Sequence, residues 1–219
     1  MSGSPYLNQR FTSKIDSSDI KTIFECGSRD GMDALELYEY YHPEVIYAFE
    51  CNPESIPVCR ENLKDNDRIK LIEKAVYDRA GIIDFYPTDM DKSNDKNIGA
   101  SSMLWHRDNK NEFFQKKIQV EAIRLDEFMR KEKIDNVDLF CMDVQGVELQ
   151  VLEGMGDMLP GVKYIITEVN FEHFYEGDWL FDDVRSFLYW KGFDLTDNRT
   201  YFLKRKVGLT DCLFKNRNL

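Results

Sequence analysis

Four short, largely apolar runs in this chain each end on a carboxylate. Thr22-Ile23-Phe24 leads to Glu25, Val45-Ile46-Tyr47-Ala48-Phe49 to Glu50, Val137-Asp138-Leu139-Phe140-Cys141-Met142 to Asp143, and Ile165-Ile166-Thr167 to Glu168. Near-continuous apolar runs of this length are the pattern of parallel strands covered on both faces. Strands of this kind alternating with helices imply a mostly parallel sheet wound on both sides. In such a sheet ligands bind in the crevice outside the carboxyl ends of the strands. The pattern therefore brings four acids to one edge of one sheet.

Apolar runs and turn residues predict strands over 21–26, 45–50, 69–74, 81–86, 118–124, 137–142, 162–168, 193–197 and 211–215. Helical spacing is expected over 31–41, 53–65, 125–133, 145–155 and 180–191. The last two strands are joined by a polar stretch with no helical pattern, which reads as an antiparallel hairpin. Residues 1–20 form an N-terminal arm that either packs over the site or is a loose end, and 21–219 a single domain. Residues 87–104 are polar and too long for a plain connection, so they are a candidate lid or binding loop.

A chain of 219 residues is long enough to bury a core on both faces of a sheet. Its net charge of −11 argues against nucleic acid as a general partner, since phosphate binding needs concentrated positive charge. The local exception, Lys204-Arg205-Lys206, reads as a solvated strand end or turn. No apolar run approaches a membrane span, and no signal-peptide core is seen, so a cytoplasmic protein is expected. The five cysteines are an odd number without CxxC spacing, which fits a reducing compartment and no metal knuckle.

The turn after the first strand has the spacing Glu25-x-Gly27-x-x-x-Gly31. It lacks the G-x-G-x-x-G rhythm that cradles a pyrophosphate, and its acid would repel one. An acid there suits a ligand with a cationic end, such as the ammonium of S-adenosylmethionine; the plain alternative is a tight strand-to-helix connection. Glu50 lies about twenty residues further on, where a nucleotide-binding unit places a carboxylate on the ribose hydroxyls. Its alternative is a solvated strand-end acid. Pro53 fits the first turn of the next helix.

The third strand-end acid opens Asp143-Val144-Gln145-Gly146-Val147-Glu148. At this point the chain resembles the FkbM family of S-adenosylmethionine-dependent O-methyltransferases. The resemblance rests on the blocks around Glu25, Gly27 and Gly31, on Ala48-Phe49-Glu50-x-Asn52-Pro53, Lys74-Ala75-Val76-x-Asp78-x-x-Gly81 and Ser101-Ser102-Met103. It continues through Arg124-Leu125-Asp126-Glu127-Phe128 and the Asp143–Glu148 block with Leu152-x-Gly154. These run in family order from about residue 22 to 170, and the last fifty residues carry no motif. Glu25 stands where the family usually has Asp, and Cys51 where it often has Pro.

The resemblance implies a class I methyltransferase: a Rossmann-like α/β fold with a seven-stranded, mostly parallel sheet, an antiparallel C-terminal hairpin and helices on both faces. It puts Glu25, Gly27, Ser28 and Gly31 at the cofactor turn, Glu50, Cys51 and Asn52 beside the ribose, and Ala75-Val76 near the adenine. Ser101 and Ser102 are candidate contacts to cofactor or acceptor, or simple turn formers. The acceptor is expected to be a hydroxyl of a sugar, glycan or glycosylated small molecule, or of another small metabolite. An NAD- or nucleotide-sugar-binding protein and a non-catalytic scaffold are the alternatives from other classes; four retained strand-end acids speak against the scaffold.

An alkyl hydroxyl keeps its proton at neutral pH, so a base or a metal ion must deal with it. Asp143 is the first candidate for either role, helix capping being its plain alternative. Asp143, Glu168 and Asn170 together offer the oxygen ligands that Mg²⁺ or another divalent cation requires. Without metal, Glu168 or His173 would bond the acceptor hydroxyls. His106 and the aromatics Trp105, Phe113-Phe114, Phe171, Phe174-Tyr175, Trp179 and Phe181 lie outside the core strands, where most must pack irregular segments and one or two can offer a face to a sugar ring.

Overall fold

The computed structural model describes residues 3–94, 97–107, 114–203 and 206–219. An arm carrying the short helix α1 (Gln9–Thr12) precedes β1 (Thr22–Cys26), α2 (Met32–Tyr41), β2 (Val45–Phe49), α3 (Ile56–Leu63) and β3 (Ile69–Ile72). Then come β4 (Ala75–Val76), β5 (Gly81–Phe85), β6 (Ile118–Ile123), α4 (Leu125–Glu132), β7 (Val137–Met142) and α5 (Glu148–Gly154). The chain ends with β8 (Val162–Asn170), α6 (Phe181–Trp190), β9 (Phe193–Leu203) and β10 (Lys206–Asn216).

The main sheet has seven strands in the order β3-β2-β1-β7-β8-β10-β9. Its first five strands are parallel, and β10 lies antiparallel between β8 and β9. The strand order turns back between β1 and β7, which makes their carboxyl ends the switch point where open α/β sheets bind ligands. Two predicted strands, 81–86 and 118–124, are real but lie outside this sheet. They form β5 and β6 of a separate three-stranded sheet, with β4 as the third member. β5 and β6 pair antiparallel from Gly81↔Ala122 to Phe85↔Ile118, a geometry the main parallel array does not use. The helix expected from Pro53 begins only at Ile56, and Pro57 takes its first turn. Asn52 delays it, accepting Glu54 N in a local turn at 3.0 Å. Lys204, Arg205 and Phe113 lie outside the described residues.

Period-two alternation splits β1 between two cores. Phe24 points into one face, edge-on to Tyr47, Phe49, Phe128 and Phe140 at centroid distances of 5.5 to 6.2 Å. Ile23 points to the other, with Leu37, Ile46, Leu139 and Phe11 of the arm. Each such buried side chain stabilises the fold by roughly 1.5–3 kcal/mol. By the same alternation Glu25, Glu50, Asp143 and Glu168 follow Ile23, Ala48, Cys141 and Ile166 on the arm side of the sheet. Among the described residues no helix is long and apolar enough to cross a membrane, and all five cysteines are free.

Candidate active site

Strand register decides which of the four acids reach the rim. Cys26 is level with Phe49 and with Met142, so Glu50 and Asp143 stand one residue beyond the paired strands, beside Gly27. Glu25 is level with Ala48 and Cys141, a full pleat lower. It is completely buried, and neither carboxylate oxygen has a hydrogen-bond partner. Burial above all pushes its carboxyl up to about 8, and the nearby Ser28 hydroxyl offsets only part of this. The Ser28 side chain is also buried without a hydrogen-bond partner.

A cavity of about 530 Å³ opens at the switch point, within the range of small-molecule and cofactor sites. Its floor is Gly27, Glu50, Asp143 and Val144, and Ala75, Val76, Phe49 and Phe85 give it an apolar wall. Ile98, Gly99, Ser101 and Met103 of the long loop form another side. Ser4, Pro5 and Tyr6 of the arm close over it, beside Asp30, Asp33 and Glu36. Gly27 is held at φ +87°, and a Cβ there would meet the Asp143 carbonyl oxygen at 2.1 Å. Only glycine lets the β1 turn pass this close to the end of β7.

Glu50 is satisfied by backbone alone. Its Oε2 accepts from Arg29 N at 2.7 Å, and its Oε1 from Cys51 N at 2.8 Å and Asn52 N at 2.7 Å. Burial raises its pKa while these donors oppose the shift. Arg29, at φ +53°, is a non-glycine residue in the left-handed region, held there by loops packed around the site. Cys51 and Asn52 border the cavity, and burial with Glu50 alongside pushes the Cys51 thiol well up.

On the opposite rim Asp143 Oδ1 accepts from Gln145 Nε2 at 2.5 Å. The Gln145 Oε1 accepts from the buried Tyr175 hydroxyl at 2.6 Å. Gln145 is the second left-handed non-glycine residue at the cavity, at φ +55°. Because Met142 pairs with Thr167, and Glu168 with Asp211, the carboxylates of Asp143, Glu168 and Asp211 stand in a row across β7, β8 and β10. Burial and mutual repulsion in this row push both Asp143 and Glu168 upward, and Gln145 opposes the shift at each. Glu148 closes the turn, its Oε1 accepting Gly146 N at 3.0 Å, while burial raises it to about 7.

The structure does not gather all the expected site residues. Gly27, Glu50, Cys51, Asn52, Ala75, Val76, Ser101 and Asp143 border the cavity; Glu25, Ser28, Gly31, Ser102, Glu168, Asn170 and His173 do not. Gly31 instead caps α2, at φ +80°. Ser102 turns away, donating to Gln145 O at 2.7 Å and accepting Leu104 N at 3.0 Å. The expected metal set is not supported: among the described residues no three His, Cys, Asp or Glu side chains are arranged to hold an ion. His173 points outward, its Nδ1 2.6 Å from Asp178 Oδ1. Asp178 Oδ2 accepts from the backbone N of Phe174 and Tyr175. The sequence reading missed Asp33 and the Gln145–Tyr175 pair, and Tyr6 belongs to the arm, whose packing over the site is one of two expectations. Gln145 lay inside a motif, but nothing local to Tyr175 marks its partner.

A seven-stranded sheet of this order, with a cavity at its switch point, defines a class I methyltransferase fold. Solved structures share it: the methyltransferase FkbM from Methylobacillus flagellatus KT superposes with a TM-score of 0.62 at 13% identity, covering 97% of this chain and 48% of that one. This chain thus spans less than half the length of that structure. TrmK of M. capricolum, solved with S-adenosyl-homocysteine, matches with a TM-score of 0.56 at 12% identity, over 97% of this chain and 68% of its own. In sequence, the 2-O-methyltransferase NoeI of Sinorhizobium fredii (strain NBRC 101917 / NGR234) is 31% identical over 175 residues, 78% of this chain and 72% of NoeI. The model of the methyltransferase FkbM domain matches residues 25–201, and the chain belongs to the FkbM methyltransferase family.

Proposed function

We propose that this methyltransferase moves a methyl group from S-adenosylmethionine to a hydroxyl of a sugar or sugar-bearing small molecule, with Asp143 taking the hydroxyl proton. The observation that carries the reading is the pair of carboxylates, Glu50 and Asp143, on opposite rims of one cavity at the switch point. The residues present fit the cofactor. Glu50 uses three of its roughly four lone-pair sites on backbone donors, which leaves it able to accept from a ribose hydroxyl. Ala75, Val76 and Phe85 offer an apolar wall for a purine, and Asp30, Asp33 and Glu36 a negative end for an ammonium. Glu25 lies below the cavity floor, so this ammonium role passes from Glu25 to those acids at the cavity edge. When bound, the cofactor supplies an electrophilic methyl on a sulfonium.

Displacement at such a carbon needs alignment more than covalent help, and positioning of this kind is worth at most about 7–11 kcal/mol. Met103 and the loop around Ser101 form the wall against which an acceptor would rest. Asp143 then accepts the proton as the oxygen attacks. Its raised pKa suits this, since a general base works best near the operating pH. The likeness to a protein named as a 2-O-methyltransferase supports oxygen as the acceptor atom.

The test has two arms. Calorimetric titration should show S-adenosylhomocysteine binding, with NAD and a nucleotide-sugar silent; the reverse order of affinities overturns the cofactor assignment. Asp143→Asn, nearly isosteric, should keep S-adenosylhomocysteine binding while turnover on methyl glycosides falls at least about a hundredfold. Near-normal turnover in that variant would leave Asp143 a helix-entry residue and remove the proposed base.

A further inference from the structure

The carboxamide of Gln145 is bonded at both ends. Reversing it would set its oxygen against Asp143 Oδ1 at 2.5 Å, two acceptors face to face with no hydrogen between them. At the far end the Tyr175 hydroxyl donates to Oε1 at 2.6 Å, a bond that reversal would give up. The same hydroxyl has a second acceptor, Ala100 O, at the longer distance of 3.2 Å. Tyr175 is 2% exposed, so water does not compete.

Both ends of this connection are clamped by segments distant in sequence. Ser102 holds the Gln145 carbonyl, and Asp178 holds the Tyr175 backbone N. Gly146, at φ +97°, has no room for a side chain: a Cβ would meet Asp178 Cβ at 2.9 Å and the Tyr175 ring at 3.2 Å. Arg107 donates from its backbone to Phe174 O at 2.8 Å and from Nε to Tyr175 O at 3.0 Å, while Glu176 N reaches Trp105 O at 2.8 Å. The loop of residues 97–107 and the loop after β8 thus close on one another at Tyr175. One residue therefore joins both loops beside the cavity to the carboxylate proposed as base.

We propose that Tyr175 is a positioning residue for Asp143, acting through Gln145: its hydroxyl fixes the amide so that Nε2 holds Oδ1 and leaves Oδ2 for the acceptor proton. The inference rests on Asp143 as the base of the reaction proposed above. It adds that the base is set only while the two loops are closed on Tyr175.

Tyr175→Phe removes one oxygen and keeps the ring. In isotope-labelled protein without cofactor, the Gln145 side-chain amide protons should exchange with water at least about tenfold faster in Tyr175→Phe, while the Tyr175 and Phe174 backbone amides held by Asp178 keep their protection. On methyl glycosides kcat should fall by about ten- to a hundredfold, the scale on which a small misplacement acts, with KM and S-adenosylhomocysteine affinity unchanged. Gln145→Leu should lose the same factor, and the double variant no more than either single one. Unchanged amide exchange, or losses that multiply in the double variant, overturns the proposal. The amide readout requires no acceptor and decides the connection by itself. Asp143→Asn with normal turnover would instead remove the base, whatever Tyr175 does.

Discussion

The two rims of the cavity hold their carboxylates in different ways. On the β1–β2 rim, Glu50 accepts three backbone N–H groups from two adjoining loops, and no side chain is involved. On the β7–β8 rim, Asp143 is held by a side-chain amide whose oxygen accepts from a hydroxyl thirty residues away. Asp143 begins a row of like charges that runs through Glu168 to Asp211, in strand register across β7, β8 and β10. Backbone donors are fixed by the fold itself and suit a group that must only bind. A carboxylate set among like charges gains and loses a proton more readily near neutral pH, which suits a group that must react. The contrast lies in the holder more than in the acid, and it is the holder that the proposed split between binding and chemistry rests on.

Glu25 is the exception on the binding rim, and it carries the largest expected effect. Its carboxyl is raised to about 8 by burial, against an ordinary value near 4.5. Between those pH values the unfolded chain has released a proton that the folded protein keeps, so stability falls as pH rises. The slope is about 1.4 kcal/mol per pH unit, a few kcal/mol across the window. Glu25→Gln should abolish this contribution: equal to the parent near pH 4.5, and more stable by a few kcal/mol at pH 8.5, read by urea denaturation at each pH. Glu148 shifts in the same direction and stays in both proteins, so the difference between them is the quantity to read. Parallel stability curves would show that folded Glu25 has a partner and belongs with Glu50 after all.

The same contrast separates what the chain discloses from what it hides. β1, β2, β7 and β8 and their terminal acids were legible because buried parallel strands are continuous apolar runs bounded by local turns. Part of the cavity lining was legible too, since Gly27, Glu50, Asn52, Ala75 and Val76 sit in compact motifs. The depth of Glu25 was not, because strand-to-strand register moves an acid by a full pleat without altering any motif. Ser101 and Ser102 are neighbours in sequence, yet one borders the cavity and the other bonds Gln145 O. β5 and β6 carry ordinary strand patterns, and only tertiary pairing takes them out of the main sheet. Tyr175 could be placed among loop aromatics, but its partner is fixed by packing of two distant loops.

The binding rim is sharpened by Glu50→Ala. This substitution leaves the backbone N of Arg29, Cys51 and Asn52 without their acceptor and removes the proposed contact to the ribose. S-adenosylhomocysteine affinity should weaken by about 1–3 kcal/mol, the cost of leaving buried donors and hydroxyls unsatisfied. Calorimetry on Asp143→Asn should show no comparable loss, because that acid is assigned to the reaction. Equal losses in both variants would merge the two rims into one binding surface.

The smallest effect is expected at His173, the one histidine named as a catalytic candidate. A general base must come within hydrogen-bond reach of its proton, and His173 does not border the cavity; its side chain is 44% exposed. Its partner Asp178 is buried and already committed through Oδ2 to the backbone of Phe174 and Tyr175, so removing the imidazole leaves the turn beneath Tyr175 bonded. A histidine so exposed contributes at most about 1 kcal/mol through such a pair. His173→Ala should therefore keep turnover on methyl glycosides within about threefold and lower the melting temperature only slightly. A hundredfold loss of kcat with the Gln145 amide still protected would mean that His173 reaches the acceptor directly. In that case the reacting rim would extend past Tyr175 into the loop after β8, and Asp143 would share its work with a group that the resting structure holds outside.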